Sequence, residues 1–112
     1  MKPNRNESAR QQKSNEDALF RAVVSLQDLG ECRNFFKDLC TPAELQALVD
    51  RWRVVGLLQK NLPYRRIHDM TGVSVATIGR VARFLTDGHG GYAAAIEHSD
   101  AHSHSRKESA TQ

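Results

Sequence analysis

The sequence predicts an all-α fold built around a helix-turn-helix, and three observations carry that prediction. Residues Ile67 to Val81 have the spacing of two short helices joined by a glycine corner. Apolar residues elsewhere recur at three- and four-residue intervals, the period of a helix with one buried face. Thr41-Pro42-Ala43-Glu44 is a helix-start signal: a threonine N-cap, proline at the first helical position and glutamate at the third.

Taken in order, Met1 to Asn15 is polar, lacks periodicity and carries four basic residues against one acid, so residues 1–15 read as a disordered basic N-terminal arm, a plain tail in the favoured reading and one that touches phosphates in the other. The helical domain is expected over residues 16–97. Its first helix has Leu19, Phe20, Val23, Val24 and Leu26 at helical spacing, and Gly30 is expected to stop it. Cys32, Phe35, Phe36, Leu39 and Cys40 repeat the pattern on a second, shorter helix. The two cysteines share one apolar face without a second pair or a nearby histidine, so they read as buried free thiols, not as a metal site or a disulfide.

The third helix, opened at Thr41, should run to about Lys60. Its apolar stripe takes in Leu45, Leu48, Val49, Trp52, Val55 and Leu58, widened by Val54 and Leu57. A core of about eighty ordered residues barely buries enough surface for a monomer, so part of this broad stripe is expected to meet a second subunit. Asn61-Leu62-Pro63 then breaks the chain, and Tyr64 to Met70 forms the first helix of the motif. At the corner, Gly72 supplies the left-handed residue, Val73 plugs the turn and Ser74 caps the next helix. Ile78 and Val81 face Ile67 and Val73. Asp87-Gly88-His89-Gly90-Gly91 is a stop, and Tyr92 to Glu97 adds a last short helix. Residues 98–112 read as a disordered His/Ser-rich tail in which His98, His102 and His104 need no metal to explain them.

Composition narrows the function. No apolar run is long enough to span a bilayer and no signal-peptide pattern is present, which predicts a soluble cytoplasmic protein without a membrane partner. No Ser/His/Asp set, phosphate loop or paired carboxylate pattern is visible, so no catalytic residues, metal or cofactor are expected. Charge is informative: residues 51 to 83 hold seven Lys/Arg against the single acid Asp69, whereas residues 16 to 50 hold seven acids against three basic residues. That footprint points to double-stranded DNA. Ser74, Val75, Ala76, Thr77 and Gly79 are the candidate base-facing residues, small enough to let the helix enter a major groove roughly 12 Å wide. Thr77 can bond a base edge or stay inside as a polar residue of the helix start. Arg65, Arg66, Arg80 and Arg83 are the candidates for phosphate.

The run from Leu39 through Ile96, about half the chain, resembles the Trp repressor superfamily, and LCTPAEL, DRWRV, LPYRRIHDMTGVSVATIGRVARFL and GHGGY resemble its YerC/YecD-type branch more closely. The resemblance implies an intertwined homodimer whose paired recognition helices bind operator DNA, the docking known for helix-turn-helix proteins, Trp repressor among them. It also implies a candidate effector pocket. Arg51 and Arg80 match the two arginines that enclose the corepressor tryptophan, and Thr41 matches the threonine at the rim. Two departures argue against tryptophan itself: Val81 stands where a glycine is found, and the linker before the motif is one residue shorter. A β-branched side chain fills or narrows an indole slot. A different small-molecule effector stays open.

Two functions remain at this stage. The favoured one is a sequence-specific DNA-binding transcriptional regulator, a repressor, acting as a homodimer. The alternative is a protein-interaction or adaptor module on a helix-turn-helix scaffold, because fold alone never proves function.

Overall fold

The computed structural model describes residues 8–99, and its regular elements there are six α-helices without a strand. They are α1 (Ala9–Ser25), α2 (Leu29–Leu39), α3 (Pro42–Gln59), α4 (Tyr64–Thr71), α5 (Val75–Asp87) and α6 (residues 91–99). The backbone groups into two compact units, Met1–Leu45 and Gln46–Gln112, with α3 running through the boundary.

In the first unit, α1 starts at Ala9, seven residues before the expected domain boundary at 16. A capping box starts it: Ser8 Oγ accepts from Gln11 N at 3.1 Å, and Gln11 Oε1 accepts from Ser8 N at 3.0 Å. Apolar periodicity reports a buried face, and these first turns are exposed, so the part of the arm from Ser8 to Asn15 left no periodic trace of its helix. Residues 1–7, the rest of that arm, and residues 100–112, most of the histidine tail with His102 and His104, lie outside the described residues.

Gly30 does not end α1. The helix stops at Ser25 with Leu26 extended, and Gly30 is the second residue of α2. The cause is Asp28, which caps α2 by accepting from Glu31 N at 2.8 Å while Glu31 Oε1 accepts from Gln27 N at 2.9 Å. Cys32 and Cys40 are free thiols, half-buried instead of buried. The start of α3 is as read from the sequence, with Glu44 N donating to Thr41 Oγ1 at 3.1 Å and Thr41 N to Glu44 Oε1 at 2.8 Å.

The second unit holds the core. Val54, Val55 and Leu57 of α3 are buried with Ile67 of α4, Val73 of the turn and Ile78 and Val81 of α5. Leu58, Leu62, Leu85, Tyr92 and Ile96 pack around them, which brings α6 onto the same core. Only the C-terminal half of the α3 stripe is spent here; Leu48, Val49 and Trp52 remain 43%, 51% and 44% exposed. The end of α3 is a Schellman-type stop in which Asn61 takes φ 60°, Asn61 N donates to Leu58 O at 2.9 Å and Leu62 N to Leu57 O at 3.4 Å. Leu62 then drops into the core, and Pro63 leads directly into α4. Apolar anchors therefore fix where the helix-turn-helix begins.

Candidate nucleic-acid interface

The turn between α4 and α5 is held by side chains as well as backbone. Gly72 adopts φ 75°, the left-handed region open to glycine without strain, and its N–H donates to His68 O at 2.8 Å. Thr71 Oγ1 donates to Ile67 O at 2.7 Å and accepts from Val73 N at 3.0 Å. Ser74 starts α5: Thr77 N donates to Ser74 Oγ at 3.1 Å, and Ser74 Oγ in turn donates to Thr77 Oγ1 at 3.1 Å. Val75, Thr77 and Gly79 are poor helix formers, so α5 depends on this cap and on the burial of Ile78 and Val81.

The candidate contact residues fall into two groups on this scaffold. Arg65, Arg66, Ser74, Val75, Ala76, Arg80 and Arg83 are exposed. Thr77 and Gly79 are half-buried. The Thr77 hydroxyl accepts from Ser74 Oγ in an exposed bond, and a methyl group added at Gly79 would make ordinary van der Waals contact with the Tyr64 ring of α4 at 4.0 Å. Val75 and Ala76 are thus the freest small side chains at the helix start, with Arg80 and Arg83 exposed farther along α5.

Charge on this unit is available to a partner. Among the described residues the ion pair found is Lys13 to Asp17 on α1, at 3.5 Å, and the arginines of α3, α4 and α5 are in none. Arg80 lies over the Phe84 ring, its guanidinium carbon 4.6 Å from the centroid, and Arg83 approaches the same ring at 5.9 Å. Phe84 is therefore a shared platform for two candidate phosphate-binding arginines. Its four-residue offset from Arg80 was the available sequence signal, and sequence reasoning missed it. The His89 ring stacks on Phe84 at 6.5 Å, and Gly88 between them is required because a Cβ there would collide with the Phe84 carbonyl.

Beside this platform lies a cleft of about 460 Å³ that brings together three of the four candidate effector residues, Arg51, Arg80 and Val81, with Phe84, His89 and Tyr92. Tyr92 is tilted against Trp52 at 6.4 Å. Val81 is 2% exposed, so its side chain belongs mainly to the core while still forming part of the cleft wall. Thr41, the fourth candidate, belongs to the first unit, where it caps α3. No lining residue is acidic. Among the described residues no group of three or more His, Cys, Asp or Glu is placed to hold a metal, and no helix is long and apolar enough to cross a membrane.

Comparison with known proteins gives a consistent result. The sequence model of the Trp repressor protein family matches residues 14–100. The uncharacterised protein YerC of Bacillus subtilis is 44% identical over 81 residues, covering 72% of this chain and 78% of its own. Among solved structures, a TrpR-like protein from Eubacterium eligens superposes with a TM-score of 0.75 at 36% identity, over 83% of this chain and 96% of that one. A Trp repressor candidate from Staphylococcus aureus gives a TM-score of 0.73 at 34% identity, with the same coverage of 83% and 96%.

Proposed function

Since this chain belongs to the Trp repressor protein family, we propose that it is a sequence-specific DNA-binding transcriptional regulator, a repressor, that works as a homodimer. The carrying observation is a helix-turn-helix whose second helix is capped by Ser74 and whose arginines are exposed and, among the described residues, in no ion pair. Such a unit can lay α5 in the major groove with α4 across the backbone, Val75 and Ala76 toward base edges and Arg65, Arg66, Arg80 and Arg83 toward phosphates. Exposed Leu48, Val49 and Trp52 on α3 supply an apolar face for the second copy. Two recognition helices about 34 Å apart then read a two-fold site.

The cleft supports an effector role. Its volume of about 460 Å³ is in the range of small-molecule sites, and its Arg51, Arg80 and His89 sit among aromatic faces. With no acid in the lining, an ammonium group would find no counter-charge there. The effector class that fits is an aromatic acid without a positive group, and the amino acid tryptophan fits less well.

The test is selection of genomic duplex fragments by the purified protein at about 150 mM salt with excess random competitor. Parallel arms contain no addition, L-tryptophan, or an indole carboxylate lacking the amino group. Enrichment of a two-fold symmetric site is expected, modulated by the indole carboxylate. Enrichment only with L-tryptophan would overturn the effector class. No enrichment in any arm, together with a tight DNA-independent protein partner, would instead establish an adaptor.

A further inference from the structure

Val73 stands one residue before the N-cap of α5, so its carbonyl lies outside the helix ladder, whose first bond runs from Ile78 N to Ser74 O at 3.0 Å. Val73 is 8% exposed as a residue, and the hydrogen bond at its carbonyl is part-buried, so a protein donor there takes the place of solvent. The His68 ring provides it, with Nδ1 2.7 Å from Val73 O. A carbonyl oxygen only accepts, so Nδ1 carries the proton and, in the neutral ring, Nε2 is the bare nitrogen. The backbone of the same residue accepts from Gly72 N at 2.8 Å. His68 therefore grips both sides of the corner, Gly72 with its carbonyl and Val73 with its ring.

We propose that His68 is the positioning residue of the recognition helix: by donating from Nδ1 to the Val73 carbonyl it fixes the direction in which α5 leaves the turn. The other turn contacts do not do this. Thr71 binds back to Ile67 and receives the Val73 amide, while Ser74 acts within α5. His68 is the side chain that ties the last turn of α4 to the carbonyl entering the α5 cap. Its consequence for DNA rests on the regulator reading above. Without the ring bond the corner samples other angles, and apparent affinity falls with the fraction of molecules whose helix is correctly set. A hydrogen bond of ordinary net strength shifts such an equilibrium about five-fold.

Two variants of the full chain test this. His68→Phe keeps an aromatic ring and removes the donor, and His68→Asn places an amide nitrogen about where Nδ1 sits. Three measurements are made: the ring tautomer of the wild-type protein by nitrogen NMR without DNA, amide exchange at Val73 and Ile78, and affinity for a selected duplex. The expected results are a bare Nε2, exchange about five-fold faster in the phenylalanine variant, and duplex affinity lowered by roughly two- to five-fold, with both effects reversed in the asparagine variant. An Nε2–H tautomer, wild-type exchange in His68→Phe, or an asparagine variant that behaves as the phenylalanine one overturns the proposal. So does unchanged duplex affinity in His68→Phe. Should the wild-type protein bind no duplex, the regulator reading fails by itself, and the tautomer and exchange results still decide whether His68 holds the helix.

Discussion

Replacing Arg65 and Arg66 together by alanine tests whether α4 lies on the DNA backbone and counts the copies that bind. Both residues are exposed on α4, and neither is in an ion pair among the described residues, so removing them frees no buried acid and disturbs no core contact. Each arginine neutralising one phosphate contributes roughly 0.9 to the slope of log affinity against log salt. The double variant should therefore flatten that slope by about 1.8 for each docked copy and about 3.6 for a dimer. Between about 50 and 200 mM salt, the wild-type affinity should fall more steeply than the variant's by roughly 12-fold for one copy and 150-fold for two. The assay is fluorescence anisotropy on a selected duplex and a random duplex over this salt range, with helical content checked by circular dichroism. Because phosphate contacts carry no sequence information, both duplexes should weaken alike. An unchanged slope in a folded variant would remove α4 from the interface and refute the docking argued here.

Three other outcomes are expected. Ala76→Glu puts a carboxylate on the exposed start of α5 and should abolish site-specific binding with unchanged circular dichroism; normal binding would show that another face of the helix is used. Gly72→Ala forces a side chain into φ 75° and should cost about 1–2 kcal/mol, seen as a melting midpoint lower by several degrees, while an unchanged midpoint would mean the turn can relax away from that geometry. Ile78→Ala removes a side chain with 0% exposure from the centre of the core and should destabilise by about 2–5 kcal/mol in chemical denaturation, so a loss under 1 kcal/mol would show a core able to collapse around the gap.

Local signals were legible wherever a residue's effect is confined to its own neighbourhood in the chain. The Thr41 capping box, the Ser74 cap and the left-handed Gly72 are bonds within three or four residues, and each stands where the sequence put it. Gly30 misled because glycine can end a helix or sit near the beginning of one. The capping pair Asp28 and Glu31 decides between these roles. The exposed start of α1 escaped for the opposite reason. Its Ser8–Gln11 box is a local signal too, but the exposed turns behind it carry no apolar periodicity to support it.

By itself, the amino-acid sequence determined an all-helical chain, the positions of the motif's helices, the Ile67, Val73, Ile78 and Val81 core and the basic footprint over it, because periodicity, caps and charge are properties of short stretches. Tertiary structure decided which residues meet across distance. It divided the α3 stripe between a buried C-terminal half and an exposed N-terminal half. It drew Arg51, Arg80, His89 and Tyr92 around one cleft. It also turned the His68 ring onto the Val73 carbonyl. The physical reason is that a helix face fixes which residues point the same way, but only packing against other helices sets which of those faces is covered and which side chains are brought within a few ångströms.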